Sequence, residues 1–437
     1  MQSLTGSIAE FAAGFGRQAV PPQSLELARQ AFIDVTGVML AARNERVVGL
    51  LNDLTAHESG PCGVLMGSAA PRSAAAAALV NGTAAHALDY DDVQFAAHPS
   101  IVLVPAILAR AQECGASGLQ ALRAYVLGYE VWGELHSRES DPYHDKGWHP
   151  TAVLGTLAAT AAVASLCELD AERTRHALSF AASNSSGVLA NFGSMAKPMH
   201  AGKSAAAALQ AVAYAHAGIT AGDDAIGARD GLLAALSTRG KVNLAAQTQL
   251  GQRWFSVTTP LVFKKYPVCF SAHRAIDAVL RLSADHALVP SGIASIEVSV
   301  RGTQARVLRF ERPRTALEAK FSVQFAVACA LLRGRVGLQD LHDGFVASEA
   351  VQSMFGKVRF VHLPPGPDGK PPLADRVVIT LNGGGVLDSG PLDQVQPHTA
   401  LRGKFMDCCA AGGYAGGEQL FERLQALDQA ANLDRMR

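Results

Sequence analysis

The sequence predicts a mainly α-helical protein in two parts: a large helical domain over residues 1–255, rejoined by 400–437, and a smaller α+β domain over 256–399. Three observations carry this expectation. Apolar residues recur every third to fourth position from the start to about residue 250, the spacing of a buried helix face. Near residue 255 the period changes, and in "IASIEVSVRG" Ile296, Val298 and Val300 alternate with polar residues as on a half-buried strand. With 437 residues, 49% of them hydrophobic, the chain can bury cores of this size.

The elements follow in order. Pro21 and Pro22 introduce "QSLELARQAFIDVTGVMLAAR", where proline suits a helix start. "SAAAAALVNGTAAHAL" is apolar nearly all round, the mark of a central helix wrapped by others. "GLQALRAYVLGYEVWGELHS" and "TAVLGTLAATAAVASLCELD" repeat the helical habit. In the second part, "SVQFAVACALLRG" reads as a helix and "DRVVITLNGGGVLDSG" as two strands joined by a glycine-rich hairpin turn. "LPPGPDGKPPLAD" reads as a flexible loop. The tail "GEQLFERLQALDQAANL" places Leu420, Phe421, Leu424 and Leu427 on one side of an amphipathic helix, expected to return to the helical domain.

Composition narrows the function classes. Lysine plus arginine equals aspartate plus glutamate at 38 each, so no long-range field draws in a nucleic acid or an anionic membrane. No apolar run is long enough to span a bilayer, and the start lacks the pattern of a secretory signal, which points to the cytoplasm. Seven scattered cysteines without a CxxC spacing argue for reduced thiols rather than a disulfide framework or a structural zinc site.

The densest chemistry is "HALDYDDVQFAAHPS", residues 86–100, with two histidines and three aspartates in fifteen positions. Carboxylates so close repel unless they divide their work. The expectation is that Asp89 faces a pocket, paired with a lysine or histidine from another segment, while Asp91 and Asp92 accept backbone N–H bonds and aim His98. Three other stretches interrupt apolar sequence with polar side chains: "GWHPTA" with His149, "NFGSMAKPMHAGKSA" with Lys197 and His200, and "FKKYPVCFSAH" with Lys264, Tyr266, Cys269 and His273. Each alone has a structural explanation, as a turn histidine, a helix cap or a surface charge. Together, converging on one partly dry cleft, they suit proton abstraction next to a carboxylate: lysines hold substrate carboxylates and stabilise the enediolate, and a lysine or histidine of lowered pKa exchanges the proton. A metal site from Asp91, Asp92 and His98 would lack HExxH, so no metal is expected. Phosphate-loop patterns are absent, and the terpene-cyclase-like "DYDD" stands in a chain only 6% aromatic.

At these residues, "NGTAAHALDYDD", "GWHPTA", "AKPMHAGKSA", "FKKYP" and "EAKFSVQFAVACALLRG", the chain resembles the MmgE/PrpD family, which includes 2-methylcitrate dehydratase, cis-aconitate decarboxylase and iminodisuccinate epimerase. The resemblance implies a helical domain with a smaller lid domain, a homodimer, and cofactor-free chemistry on a small polycarboxylate. Carried over by motif position, the catalytic residues fall on Asp89, His98, His149, Lys197 and Lys264; His200, Tyr266, Cys269 and His273 are expected to contact substrate. The chain departs from the decarboxylase pattern at Val93, Cys269 and Phe325, each lacking a polar group, and in a loop one residue shorter before His98. Dehydration of a 2-methylcitrate-like substrate is therefore expected first. Epimerisation of an iminodisuccinate-like dicarboxylate, decarboxylation, and a non-catalytic carboxylate-binding homologue are the alternatives.

Overall fold

The computed structural model describes residues 3–67, 69–363, 374–392 and 401–436. The chain is mostly helical with a small sheet. It opens with α1 (Leu4–Gly14), whose N-cap Ser3 accepts from the Gly6 N–H, then α2 (Pro22–Ala41) with proline in its first turn and α3 (Arg46–Leu54). A short antiparallel hairpin follows, β1 (Cys62–Val64) with β2 (Ala69–Arg72). It departs from the expectation of an all-helical first part, because strands of three and four residues are too short to register as a period.

Eight longer or shorter helices complete the first part: α4 (Ala74–Ala87), α5 (Ser100–Cys114), α6 (Gly118–Ser137), α7 (Pro150–Leu166), α8 (Ala171–Asn184), α9 (Ala196–His216), α10 (Leu232–Leu236) and α11 (Phe255–Thr258). The crossing of α4 and α9 rests on a glycine pair. A Cβ added at Gly82 would stand 2.8 Å from the Gly202 Cα, and one at Gly202 would stand 2.1 Å from the Leu79 carbonyl oxygen. Only glycine lets these backbones touch, and their contact brings the end of α4 beside the start of α9.

The second part holds α12 (His273–His286), β3 (Ile293–Arg301), α13 (Ala316–Ala319), α14 (Val323–Arg333), α15 (Asp343–Val346), α16 (Glu349–Phe355), β4 (Val358–Leu363), β5 (Arg376–Leu381) and β6 (Val386–Asp388). The sheet order is β4-β3-β5-β6. Strand β3 is central, parallel to β4 through Ile296↔Val358 and antiparallel to β5 through Val298↔Val377. Ile296, Val298 and Val300 are buried, as their alternation requires, and β5 and β6 form the expected glycine-turn hairpin, with Gly384 at φ +84°. Most of the Pro/Gly-rich loop, residues 364–373, lies outside the described residues. Helices α17 (Leu401–Gly412) and α18 (Gly417–Gln425) end the chain.

Two hydrophobic cores result. One joins α1–α9 with Phe405 and Cys408 of α17 and Leu420 and Leu424 of α18. The other runs from Tyr266 to Ile379 and includes Phe192 from the first part. Among the described residues no helix is long and apolar enough to cross a membrane.

Candidate active site

The site begins where α4 stops. Asp89 follows the helix with φ +50°, a left-handed conformation that costs a non-glycine residue roughly 1–2 kcal/mol, and lysines from the second part hold it there. Lys264 Nζ donates to the Asp89 carbonyl at 2.7 Å and to its Oδ2 at 2.9 Å. Lys320 Nζ donates to the Ala87 carbonyl at 2.6 Å. Both ammonium groups sit on the carbonyl end of α4, where a cation is favoured. From the start of α9, Lys197 Nζ reaches Asp89 Oδ1 at 2.5 Å, between the rings of Phe192 and Phe321 at 5.1 and 4.9 Å.

Charge balance within this cluster is lopsided. Burial opposes the Asp89 charge, yet Lys197 and Lys264 outweigh it and hold the carboxyl well below the usual carboxylate range. Burial likewise pulls against the Lys264 ammonium, but Asp89 and then Asp91 win and raise it above the usual lysine range. Lys264 is a fixed cation, which corrects the expectation of a proton-exchanging lysine: a like-charged neighbour would depress it, but its nearest charge is a carboxylate.

The three aspartates have divided their work, though not as expected. Among the described residues Asp91 accepts no backbone N–H bond; its carboxylate lies between two imidazoles, 2.9 Å from His86 Nδ1 and 2.6 Å from His98 Nδ1. Burial is outweighed by His98 and His86, so this carboxyl too stays well below the usual range. Asp92 does accept a backbone bond, from Ser100 N at 3.4 Å in the first turn of α5. Burial, then the charges of Asp91 and Asp34, push it up to about 8, so at neutral pH it is an uncharged acid.

His98 is fixed from both sides. Its backbone N–H donates to Thr151 Oγ1 at 3.1 Å, and its Nδ1 also hydrogen-bonds the Asp92 carbonyl at 3.0 Å. His149 occupies the cap position of α7, before a proline, and its Nδ1 meets His200 Nδ1 at 3.0 Å. Burial and then Lys197 depress both, His149 well below the usual histidine range and His200 to about 4. These rings are neutral at physiological pH.

Asp89, His98, His149, Lys197, Lys264 and Cys269 border one cavity of about 460 Å³, including its open mouth. His200 stands behind His149 and reaches the cavity only through that ring. Tyr266 and His273 are placed elsewhere: the Tyr266 hydroxyl donates to Asp277 Oδ1 at 2.7 Å, and fully buried His273 holds the Val268 carbonyl through Nε2 at 3.2 Å. Both brace the turn that delivers Lys264 rather than facing the cavity. Phe325 packs in the second core against Phe345, with ring centroids 6.2 Å apart; of the three departures noted in the sequence, only Val93 and Cys269 touch the cavity.

Sequence reasoning missed His144, Ser271 and an apolar wall formed by Phe192, Phe270, Val307 and Phe321. His144 rides on the turn Tyr143–Lys146, pinned by the Lys146–Glu139 ion pair at 2.6 Å and depressed to about 4 by burial, then by His98 and Lys197. Its place five residues before His149 was the one available signal. His86, Asp89, Asp91 and His98 bring ligand-type atoms within 4.8 Å of one another. Asp89 is already held by two ammonium groups and Asp91 by two imidazole nitrogens, so the four form an internal network rather than a vacant ligand set.

Two cores, one helical and one carrying a small sheet, that share a pocket of lysines, imidazoles and one ionised carboxylate define the class of protein. The sequence matches the MmgE/PrpD N-terminal domain over residues 6–245 and the MmgE/PrpD C-terminal domain over residues 266–410. The chain belongs to the MmgE/PrpD family. It is similar to cis-aconitate decarboxylase of Mus musculus, 27% identical over 319 residues that span 70% of this chain and 65% of that protein. The Homo sapiens cis-aconitate decarboxylase is 28% identical over 298 residues, 66% of this chain and 61% of its own length. A cis-aconitate decarboxylase-like protein of Aspergillus oryzae is 26% identical over 315 residues, 66% of this chain and 64% of its own length. The match therefore spans somewhat less than two thirds of each of these relatives.

Proposed function

We propose that this chain is a lyase acting on a small di- or tricarboxylate by removing the proton α to a carboxylate, and that its reaction is dehydration of a 2-methylcitrate-like hydroxy acid. One observation carries the reading: the open edge of His98 shares a cavity with two lysines clamped on a single ionised carboxylate. A substrate carboxylate docks at Lys197 and Lys264, whose fixed charge stabilises the enediolate as it forms. His98 takes the α-proton, the C–O bond breaks, and the imidazolium so formed at His98 returns that proton to the leaving hydroxyl, which departs as water and leaves His98 neutral again. The products are an enoate and water, and the reading calls for no cofactor. In it residues 256–399 act as the smaller domain closing over the substrate, and the protein works as a homodimer, as in the family it belongs to.

Decarboxylation is the second reading, supported by the relatives' names and by the apolar wall of Phe192 and Phe321, which suits departing carbon dioxide. Incubation in deuterium oxide with 2-methylcitrate, citrate, an iminodisuccinate-like dicarboxylate and cis-aconitate separates them. The expected result is enoate from 2-methylcitrate with activity unchanged by EDTA. Carbon dioxide from cis-aconitate alone would establish the second reading, and neither product nor exchange from any compound would overturn both.

A further inference from the structure

We infer that His86 and Asp91 are positioning residues that fix His98 as the Nδ1–H tautomer, turning an unprotonated Nε2 toward the cavity, and that His86 leaves the Asp91 charge free for the proton His98 accepts. The second half rests on the proton-abstraction reading above; the tautomer does not.

The geometry runs from one carboxylate. Its Oδ1 meets His86 Nδ1 at 2.9 Å and its Oδ2 meets His98 Nδ1 at 2.6 Å, and the Asp92 carbonyl adds a second acceptor to His98 Nδ1 at 3.0 Å. The hydrogen bond to that carbonyl, which can only accept, requires Nδ1 to carry the hydrogen, and the Asp91 carboxylate beside it favours the same tautomer. The His98 side chain is 15% exposed and lines the cavity, whereas the Asp91 side it turns inward is fully buried. Its outward edge therefore bears Nε2, for which no protein partner is found among the described residues.

His86 is the less obvious member. Its ring is buried on the last turn of α4, 4.6 Å from the His98 ring centroid, and its Nε2 has no partner among the described residues. Burial, then Lys197, lower it to about 3, so it orients Asp91 as a neutral donor without cancelling its charge. A cation in that place would neutralise Asp91 before His98 could use it. The other charged or titratable groups that share the cavity with His98 are Asp89 at the end of α4, Lys197 at the start of α9, Lys264, Cys269, His144 on its turn and His149 at the start of α7.

The test is made on the full chain with two readouts. Ring-nitrogen NMR of histidine-labelled protein, with His98 identified by its loss in His98→Gln, is expected to show Nδ1–H and unprotonated Nε2, the Nδ1–H proton moving upfield in Asp91→Asn, where only the uncharged Asp92 carbonyl is left as its backbone acceptor. Observation of Nε2–H in the wild type would overturn the inference whatever the protein catalyses. In turnover, Asp91→Asn is expected to lower kcat by about 10²–10⁴-fold with KM little changed and to move the acid limb of the kcat profile to lower pH, because the anion favouring the proton is gone. His86→Phe is expected to lose roughly 10–100-fold in kcat and His86→Gln, which keeps an N–H donor, to recover most of it. Wild-type turnover with an unmoved profile in Asp91→Asn would sink the assigned role while leaving the proposed function standing.

Discussion

A carboxyl group buried beside other carboxyls, with neither a cation nor paired donors to hold its charge, stays protonated, and Asp92 is in that position. It faces Asp91 and Asp34, and among the described residues it accepts only from Ser100 and its Oδ2 has no partner. Its folded value of about 8 lies above the ordinary 3.8, so the folded state holds a proton that the unfolded chain releases as pH rises from 3.8 toward 8. Stability attached to this group is thus fully present at low pH and lost through that window. Asp92→Asn, the shape of the neutral acid without its titration, should raise stability by roughly 1–3 kcal/mol at pH 7–8 and by little near pH 4. Denaturant unfolding at both pH values checks this, and an equal effect at both would refute it. Asp89, His98 and Lys197 were legible because crowded polar residues in alanine-rich sequence stand out. The pairing of Asp91 with His86 was not: helix and turn bring residues five apart together, and nothing in spacing says which of three aspartates turns toward the ring.

Helix α17 shows how a distant element can brace a site it never touches. Its Lys404 Nζ lies 2.7 Å from Asp34 Oδ1 on α2, donates to the Tyr90 carbonyl at 2.6 Å and sits 4.2 Å over the Tyr90 ring. Both charges are almost fully buried, so the pair contributes little net stability but is costly to break. Lys404→Met should destabilise by about 3–5 kcal/mol, and Asp34→Asn in the same chain should restore much of it by removing the stranded charge. Thermal unfolding of the single and double variants decides this, and additive losses would refute it. The tail helix was readable from Leu420 and Leu424, now buried in the first core. The partner of Lys404, 370 positions away, was not, because a lone lysine in a sequence looks the same whether solvated or paired.

Across the whole molecule, the change of apolar period near residue 255 announced two kinds of packing, and two cores are found. Their mutual placement was invisible, since it depends on lysines of one part seated against the helix end of the other. That placement buries five neutral histidines, His86 and His273 at about 3, His144 and His200 at about 4, and His149 well below its ordinary value, burial being the first cause in every case. An unfolded chain protonates its histidines near pH 6.5, whereas these five resist until pH 3–4 or below. Their contribution is fully present above about pH 6.5 and drains away as pH falls toward their folded values. Asp92 and Asp34 oppose this, being raised, while Asp89 and Asp91 join it only below their ordinary 3.8. Between pH 6 and 4 the histidines outnumber the opposing carboxyls, so unfolding should take up a net two to four protons, a slope of roughly 3–5 kcal/mol per pH unit. Calorimetric unfolding at pH 5 in buffers of different ionisation enthalpy counts those protons directly. Uptake of one or none would mean that the imidazoles around the cavity are already charged in the folded protein, and with them would fall the neutral-histidine chemistry proposed for the site.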